Sequence, residues 1–293
     1  MRDFGSYHPL VLMAYFAAVI AVAMFSVHPV MLALAVAGGI MYYCSVTDRG
    51  IIFRNLLVYM VFFVMITVTN PFFSHKGATI LFFIDSNPVT LEAFYYGMSI
   101  GAMVVGVMLW FGNYSAVMTT DKFLYLFGRV MPRLTLIFSM VLRFIPLFRN
   151  HLKKVSDSRR ALGGYAEKGP AARIRSAAGV FSIMITWSLE MAVSVADSMK
   201  ARGYATYKRS NFSLYRFAGR DLRMLILTGL LTAAVLAGMA SGRLDFAYYP
   251  YMTEIRPDPG VLPFYAAYAC LVFLPSAIQI KENIEWKYLI SKI

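Results

Sequence analysis

The sequence predicts an all-α, polytopic helical membrane protein of about six transmembrane helices, with a further set of long amphipathic helices on the cytoplasmic side. Three observations carry this reading. Hydrophobic residues make up 59% and charged residues only 15% of 293 positions, too apolar a balance for a soluble domain of that size. Six runs each approach the roughly 20 apolar residues that cross a hydrocarbon core: 10–25, Pro29–Val46, 51–69, 94–111, 224–240 and 262–280. Their continuous apolarity excludes a barrel, whose strands would alternate over about ten residues.

The first run follows Arg2 but is not trailed by a small-residue cleavage pattern, and a second run follows directly, so it is expected to remain as a span. Cys44 and Cys270 fall inside predicted spans without metal-type spacing and read as buried apolar fillers. The net charge of +13 follows topology rather than forming a nucleic-acid patch. With a cytoplasmic N-terminus, the outer side carries only Lys76, Arg243 and Arg256. Arg49, Arg54, the central segment, Arg220, Arg223, Lys281, Lys287 and Lys292 then all fall inside. This positive-inside bias places both termini in the cytoplasm, with membrane lipids as the partner of the excess cations and no nucleic acid.

The chain divides into four N-terminal spans (1–113), a cytoplasmic segment (114–220) and two C-terminal spans (221–293). In the central segment Pro132 can open a helix that runs over 133–162, is interrupted by Pro146 and stops at Gly163-Gly164. A second helix begins after Gly169-Pro170 and ends at Gly203, a residue suited to the left-handed cap. The first is greasy along Phe148, Leu152, Val155 and Leu162 and polar along Arg149, Lys153, Ser156 and Arg160. The second carries a stripe of Val180, Met184, Trp187, Met191, Val195 and Met199, which reads as core packing or as an adaptable docking face. Asn70-Pro71, His75-Lys76-Gly77 and Asn87-Pro88 break the outer connection after the third span, and Pro250, Pro257, Pro259 and Gly260 mark a second irregular outer loop. The sequence shows no evident internal repeat.

Several chemistries are disfavoured. No Gly-x-x-x-x-Gly-Lys-Ser/Thr string occurs, so ATP is not bound through a P-loop. His8, His28, His75 and His151 are scattered, without paired spacing for zinc or iron, and read as interfacial. The six runs contain no acid, whereas Asp85 and Glu92 sit at the outer edge and Glu190 and Asp197 on the second long helix, which disfavours a proton or cation relay. No cofactor and no catalytic constellation is expected. Gly97 and Gly101, Ala102 and Gly106, and Ala234, Gly238 and Gly242 recur at four-residue spacing, permitting close helix packing within the chain or against another subunit.

What remains are two polar helix ends, Ser158-Arg159-Arg160-Ala161-Leu162-Gly163 and Lys200-Ala201-Arg202-Gly203. Arg202 precedes a helix-ending glycine, so its guanidinium projects at the tip beside the partial negative charge of the last carbonyls. It reads as an ordinary C-terminal arginine or as a group poised to pair bidentately with a carboxylate in a partner's groove.

Over roughly residues 46–223 these motifs resemble the transmembrane T component of energy-coupling factor (ECF) transporters. The resemblance rests on Asn70-Pro71-Phe72-Phe73, Lys76-Gly77-Ala78-Thr79, Val89-Thr90-Leu91-Glu92-Ala93 with Tyr96-Gly97, Thr119-Thr120 and Met131-Pro132-Arg133. Most specific are Leu142-Arg143-Phe144-Ile145-Pro146 and Ala196-Asp197-Ser198-Met199 ahead of Ala201-Arg202-Gly203. It implies a cytoplasmic coupling domain with two crossing coupling helices, each ending in an Ala-Arg-Gly-like motif that enters a groove of an ABC-type ATPase. Arg143, Pro146 and Asp197 would support those motifs. The second motif is intact, whereas the first reads Ala161-Leu162-Gly163. Arg159 or Arg160 then substitutes for the missing arginine, or this tip binds through apolar contact and general positive charge.

The resemblance further implies a non-catalytic subunit in a prokaryotic cell membrane. Its partners would be two ABC-type ATPases and a substrate-binding membrane S component, and its cargo a vitamin or transition-metal ion. An autonomous permease or channel is the alternative, and the spans carry few polar residues to line one.

Overall fold

The structure, a computed structural model, describes residues 4–47, 49–74, 76–84, 87–163, 169–204, 206, 215–253 and 259–290. Arg2, His75, Asp85, Gly164, Arg256, Pro257 and Lys292, each used in reading the sequence, lie outside them. A short 3₁₀ turn (Phe4–Ser6) precedes α1 (Pro9–Phe25), α2 (Pro29–Val46) and α3 (Arg49–Phe73). A two-stranded antiparallel hairpin, β1 (Ile80–Ile84) and β2 (Asn87–Thr90), leads into α4 (Leu91–Val117) and the short α5 (Thr120–Val130). The long helices α6 (Pro132–Ala161) and α7 (Pro170–Ala201) follow, then α8 (Gly219–Ala240) and α9 (Leu262–Ile290). The chain forms two compact units, one of residues 1–123 with 215–293 and the other of residues 124–214.

Six of the described helices are long and apolar enough to cross a membrane, which makes this a multi-pass membrane protein. The set differs from the one read in the sequence. At 17 residues and about 25 Å, α1 stands at the short end of what crosses a hydrocarbon core, whereas Arg173–Ala201 of α7, expected to be an amphipathic helix of the cytoplasmic segment, has the length and apolarity of a span. Two prolines expected or able to break helices do not: α3 continues through Pro71 to Phe73 and α9 through Pro275 to Ile290. Pro146 likewise lies within an unbroken α6.

In the first unit, the starts of α1 and α2 share one device. Each follows a His-Pro pair in which proline supplies the first helical φ and the histidine Nδ1 accepts a backbone N–H, from Leu10 at 3.2 Å and from Val30 at 3.3 Å. Two of the four histidines read as interfacial, His8 and His28, are thus N-caps. The His28 Nε2 is 2.9 Å from the Tyr265 hydroxyl, and burial holds the His28 imidazole below its ordinary value. Asp221, 3% exposed in the first turn of α8, accepts the backbone N–H groups of Ala218 (2.9 Å) and His8 (3.1 Å), tying the start of α8 to that of α1.

The core of this unit gathers Phe4, Tyr15, Phe16, Tyr42, Trp110, Tyr268 and Leu271, all essentially inaccessible. Several polar groups inside it are paired with backbone, whereas the Tyr268 hydroxyl and Asn113 Oδ1 have no hydrogen-bond partner among the described residues. The Trp110 indole donates to the Ala35 carbonyl (3.0 Å), Asn113 Nδ2 to that of Gly39 (3.0 Å), and the Tyr15 hydroxyl to that of Leu271 (2.9 Å). The small-residue stripes serve this internal packing. A Cβ on Gly97 would stand 3.0 Å from the Thr67 carbonyl oxygen of α3, and one on Gly101 3.2 Å from that of Phe63. Gly106 faces Ala35 and Val36 of α2, and Gly238 leaves no room beside the Phe264 ring of α9.

The turn before β1 is anchored by a buried acid. Glu92, 4% exposed, accepts the Thr79 hydroxyl (2.7 Å) and the Thr79 N–H (3.1 Å), while the Thr90 hydroxyl donates to the Lys76 carbonyl (2.8 Å). Gly77, at φ 143°, packs against both side chains in a conformation that suits glycine alone. Cys44 and Cys270 do not fill the core as expected: both are exposed on their helices.

Candidate coupling site at the ends of α6 and α7

The second unit is an antiparallel helix pair. Phe148 of α6 meets Trp187 of α7 edge-on, with ring centroids 5.1 Å apart, and His151, one turn on, stacks flat against the same indole at 4.0 Å and 9°. Closer to the connecting loop, the Arg159 guanidinium fills the place a Cβ at residue 179 would take. Glycine at 179 is therefore what lets that side chain cross α7. As partner positions rise along α6 they fall along α7, so the pair runs antiparallel and its two C-terminal ends point in opposite directions.

Those ends have one geometry. Leu162 (φ −81°, ψ 6°) and Arg202 (φ −81°, ψ 8°) cap their helices, and each N–H donates to a serine carbonyl four residues earlier, Ser158 and Ser198, at 3.1 Å. The next residue is in both cases a glycine at φ 76°, Gly163 and Gly203, whose N–H donates to the Arg160 and Lys200 carbonyls at 3.1 and 2.9 Å. At the second tip, Tyr204 N–H closes the turn on the Met199 carbonyl at 3.0 Å, completing a Schellman motif. A residue with a Cβ would pay for the left-handed torsion, so glycine fixes where each helix stops.

All of Ala161, Leu162, Gly163, Ala201, Arg202 and Gly203 are exposed. Among the described residues no carboxylate pairs with Arg202. Its exposed guanidinium carries five donors in a fork able to receive a carboxylate bidentately. Arg160 is exposed two residues before the first cap, and Arg159 is half-buried against Gly179. Arg143, Pro146 and Asp197 are exposed along the two helices, away from the tips in the first two cases and one turn before the tip in the third.

The stripe of α7 is graded: Val180 and Met184 are buried, while Trp187, Met191, Val195 and Met199 are half-buried. The opposite side leaves Phe181, Ile185, Leu189 and Val193 between 45% and 66% exposed. Among the described residues no group of three or more His, Cys, Asp or Glu could hold a metal ion.

Sequence reasoning paired Ala161-Leu162-Gly163 with Ala201-Arg202-Gly203 through the resemblance but passed over how far the match extends upstream. Asp157-Ser158-x-x-Ala161-x-Gly163 and Asp197-Ser198-x-x-Ala201-x-Gly203 follow one seven-residue pattern. It is too short to register as a repeat, yet it was the available signal, and it brings in Asp157, exposed like Asp197.

The described residues thus form a helical unit with membrane-length helices and a helix pair whose two C-terminal ends share one geometry. A family model described as cobalt transport protein, CbiQ, matches residues 7–214, and the chain belongs to this family, the transmembrane T components of energy-coupling factor transporters. It is also similar to a protein of Staphylococcus aureus (strain 04-02981) described as energy-coupling factor transporter transmembrane protein EcfT. The two are 26% identical over 188 residues, covering 60% of this chain and 69% of the relative.

Proposed function

We propose that this chain couples ATP hydrolysis by two ABC-type ATPase subunits to movement of a substrate-binding membrane S component, for uptake of a vitamin or transition-metal ion. The observation that supports this most directly is the pair of equivalent, exposed helix ends at Leu162 and Arg202 on oppositely directed helices. Two such ends can each seat in one ATPase. Closure of the ATPases on nucleotide then drags the tips, changes the angle at which α6 and α7 cross at Trp187, and tilts an S component resting on the exposed apolar side of α7. The chain hydrolyses nothing itself. It lies in the cell membrane with both termini and both tips on the cytoplasmic side, where positive residues concentrate.

The test is purification of the tagged chain from host membranes in mild detergent, followed by reconstitution. Recovery of two ABC-type ATPase chains and a small hydrophobic protein, and uptake into liposomes that needs ATP, is the expected result. Uptake by the isolated chain without nucleotide would instead establish an autonomous permease.

A further inference from the structure

The chain leaves the first unit after Phe123 and re-enters it at Tyr215, and residues 4–8 bind side chains beside both passages. Phe4 is wholly buried, its ring edge-on to those of Tyr15, Phe16 and Tyr42, which fixes the 3₁₀ turn to the core. Tyr7 N–H closes that turn on the Phe4 carbonyl at 3.3 Å, and the Gly5 and Ser6 carbonyls are met by side chains. Lys122, beside the exit, donates through Nζ to the Gly5 carbonyl (2.7 Å) and to the Val117 carbonyl at the end of α4 (2.8 Å). Arg220, soon after the return, donates to the Ser6 carbonyl (3.1 Å) and hydroxyl (3.3 Å), its guanidinium carbon 4.4 Å from the centroid of the Tyr7 ring. His8 completes the set, its N–H on the Asp221 carboxylate and its ring edge-on to Phe217 at 5.3 Å. All of these contacts lie within the first unit.

Resting on the coupling role proposed above, we infer that Lys122 and Arg220 are positioning residues that root both ends of the second unit on the N-terminal segment 4–8. Both cations sit in the first turn of a helix, α5 and α8, the end at which the helix dipole disfavours positive charge. Their placement therefore serves the carbonyls they bond rather than the helices that carry them. Each has two oxygen acceptors, and charge-assisted bonds of this kind are about twice as strong as neutral ones. The stiffness of these roots decides where a displacement of the second unit goes. Held at both passages, it is handed to the end of α4 and the starts of α1 and α8. Freed at either, the connecting chain absorbs it as local backbone rotation.

The test is amide hydrogen exchange on the full complex from host membranes, nucleotide-free and trapped with ATP and orthovanadate. In the parent, nucleotide should change exchange both within residues 124–214 and at the starts of α1 and α8. Lys122→Met and Arg220→Met should each keep the first change and shrink the second by about threefold or more, as loss of a charge-assisted hydrogen bond allows. Lys122→Arg and Arg220→Lys keep a cation within reach and should restore it. Arg220 is only half-buried, so its variant reports even where Lys122→Met fails to assemble. A merely structural contribution would raise exchange at these helix starts in both nucleotide states and leave their difference intact; that result would overturn the inference. So would a parent in which nucleotide alters residues 124–214 but not the starts of α1 and α8. A parent complex whose residues 124–214 do not respond to nucleotide at all would instead remove the coupling role on which it rests.

Discussion

His151 lies flat on the indole of Trp187, and the same indole takes the edge of Phe148 from the previous turn, so one α7 side chain carries the aromatic contact with α6. Trp187 is thereby the pivot of the helix pair. Trp187→Ala should lower the melting temperature of the detergent-solubilised chain, in proportion to a loss of about 2 kcal/mol for a half-buried aromatic cluster. ATPase-driven uptake should fall further than ATPase co-purification, because the tips survive while the lever loses its fulcrum. Equal losses in both would place Trp187 outside the transmission path.

Gly179 and Arg159 form a second, steric contact. Gly179→Ala displaces the guanidinium, the far end of a flexible side chain, so its steric cost is small and largely offsets the roughly 0.5–1 kcal/mol that alanine gains over glycine inside a helix. In an Arg159→Ala background the same glycine substitution should stabilise by about 0.5–1 kcal/mol, the helix preference of alanine over glycine no longer being offset by the guanidinium. A double-mutant cycle on thermal stability measures this directly, and simple additivity would refute the contact.

Arg202→Ala should reduce ATPase co-purification by tenfold or more, since truncating one partner of a desolvated, bidentate pair costs about 2–5 kcal/mol. Arg202→Lys should recover part of the loss, keeping the charge without the fork. Arg160→Ala should lose less, because the guanidinium stands before the cap rather than at it. Quantifying bound ATPase by gel densitometry ranks the three; equal, small effects would count against a docking role for Arg202.

His28 makes the first unit pH-sensitive. It caps α2 as the neutral imidazole, and burial lowers its value from the ordinary 6.5. Below that ordinary value the unfolded chain binds the proton more readily than the folded one, so stability falls as pH drops from about 6.5 towards the lowered folded value, and is full above it. His28→Asn keeps an N-cap acceptor and cannot titrate. Thermal unfolding between pH 7.5 and about 5 should therefore show a shallower decline in the variant than in the parent chain.

Much of this was legible in one dimension. Apolar run lengths disclosed most spans, and Pro132, Gly169-Pro170 and Gly203 bracketed α6 and α7 almost to the residue, because proline and glycine act locally at helix ends. The resemblance to T components rested on motif order and was confirmed by the family match. What escaped depended on the third dimension. Pro71 sits near the end of α3, where few helical hydrogen bonds remain to be lost, so a breaker in sequence is tolerated in place. The roles of His8, His28 and Asp221 require helix starts distant in sequence to meet, and the burial of Glu92 depends on a turn fourteen residues earlier folding over it. The exposed cysteines show the converse: apolar composition marks a span, but not which of its faces looks inward.

Glycine at 163 and 203 has one more consequence. Helices of 30 and 32 residues reach about 45 and 48 Å, so the chain carries two nearly equal arms whose ends are set by a residue without a side chain. Sliding either stop by one position would swing the terminal group about 100° around its axis while advancing it only about 1.5 Å. Reach is thus forgiving of small insertions and azimuth is not, so under the proposed docking role rotational phase is the quantity a partner would read.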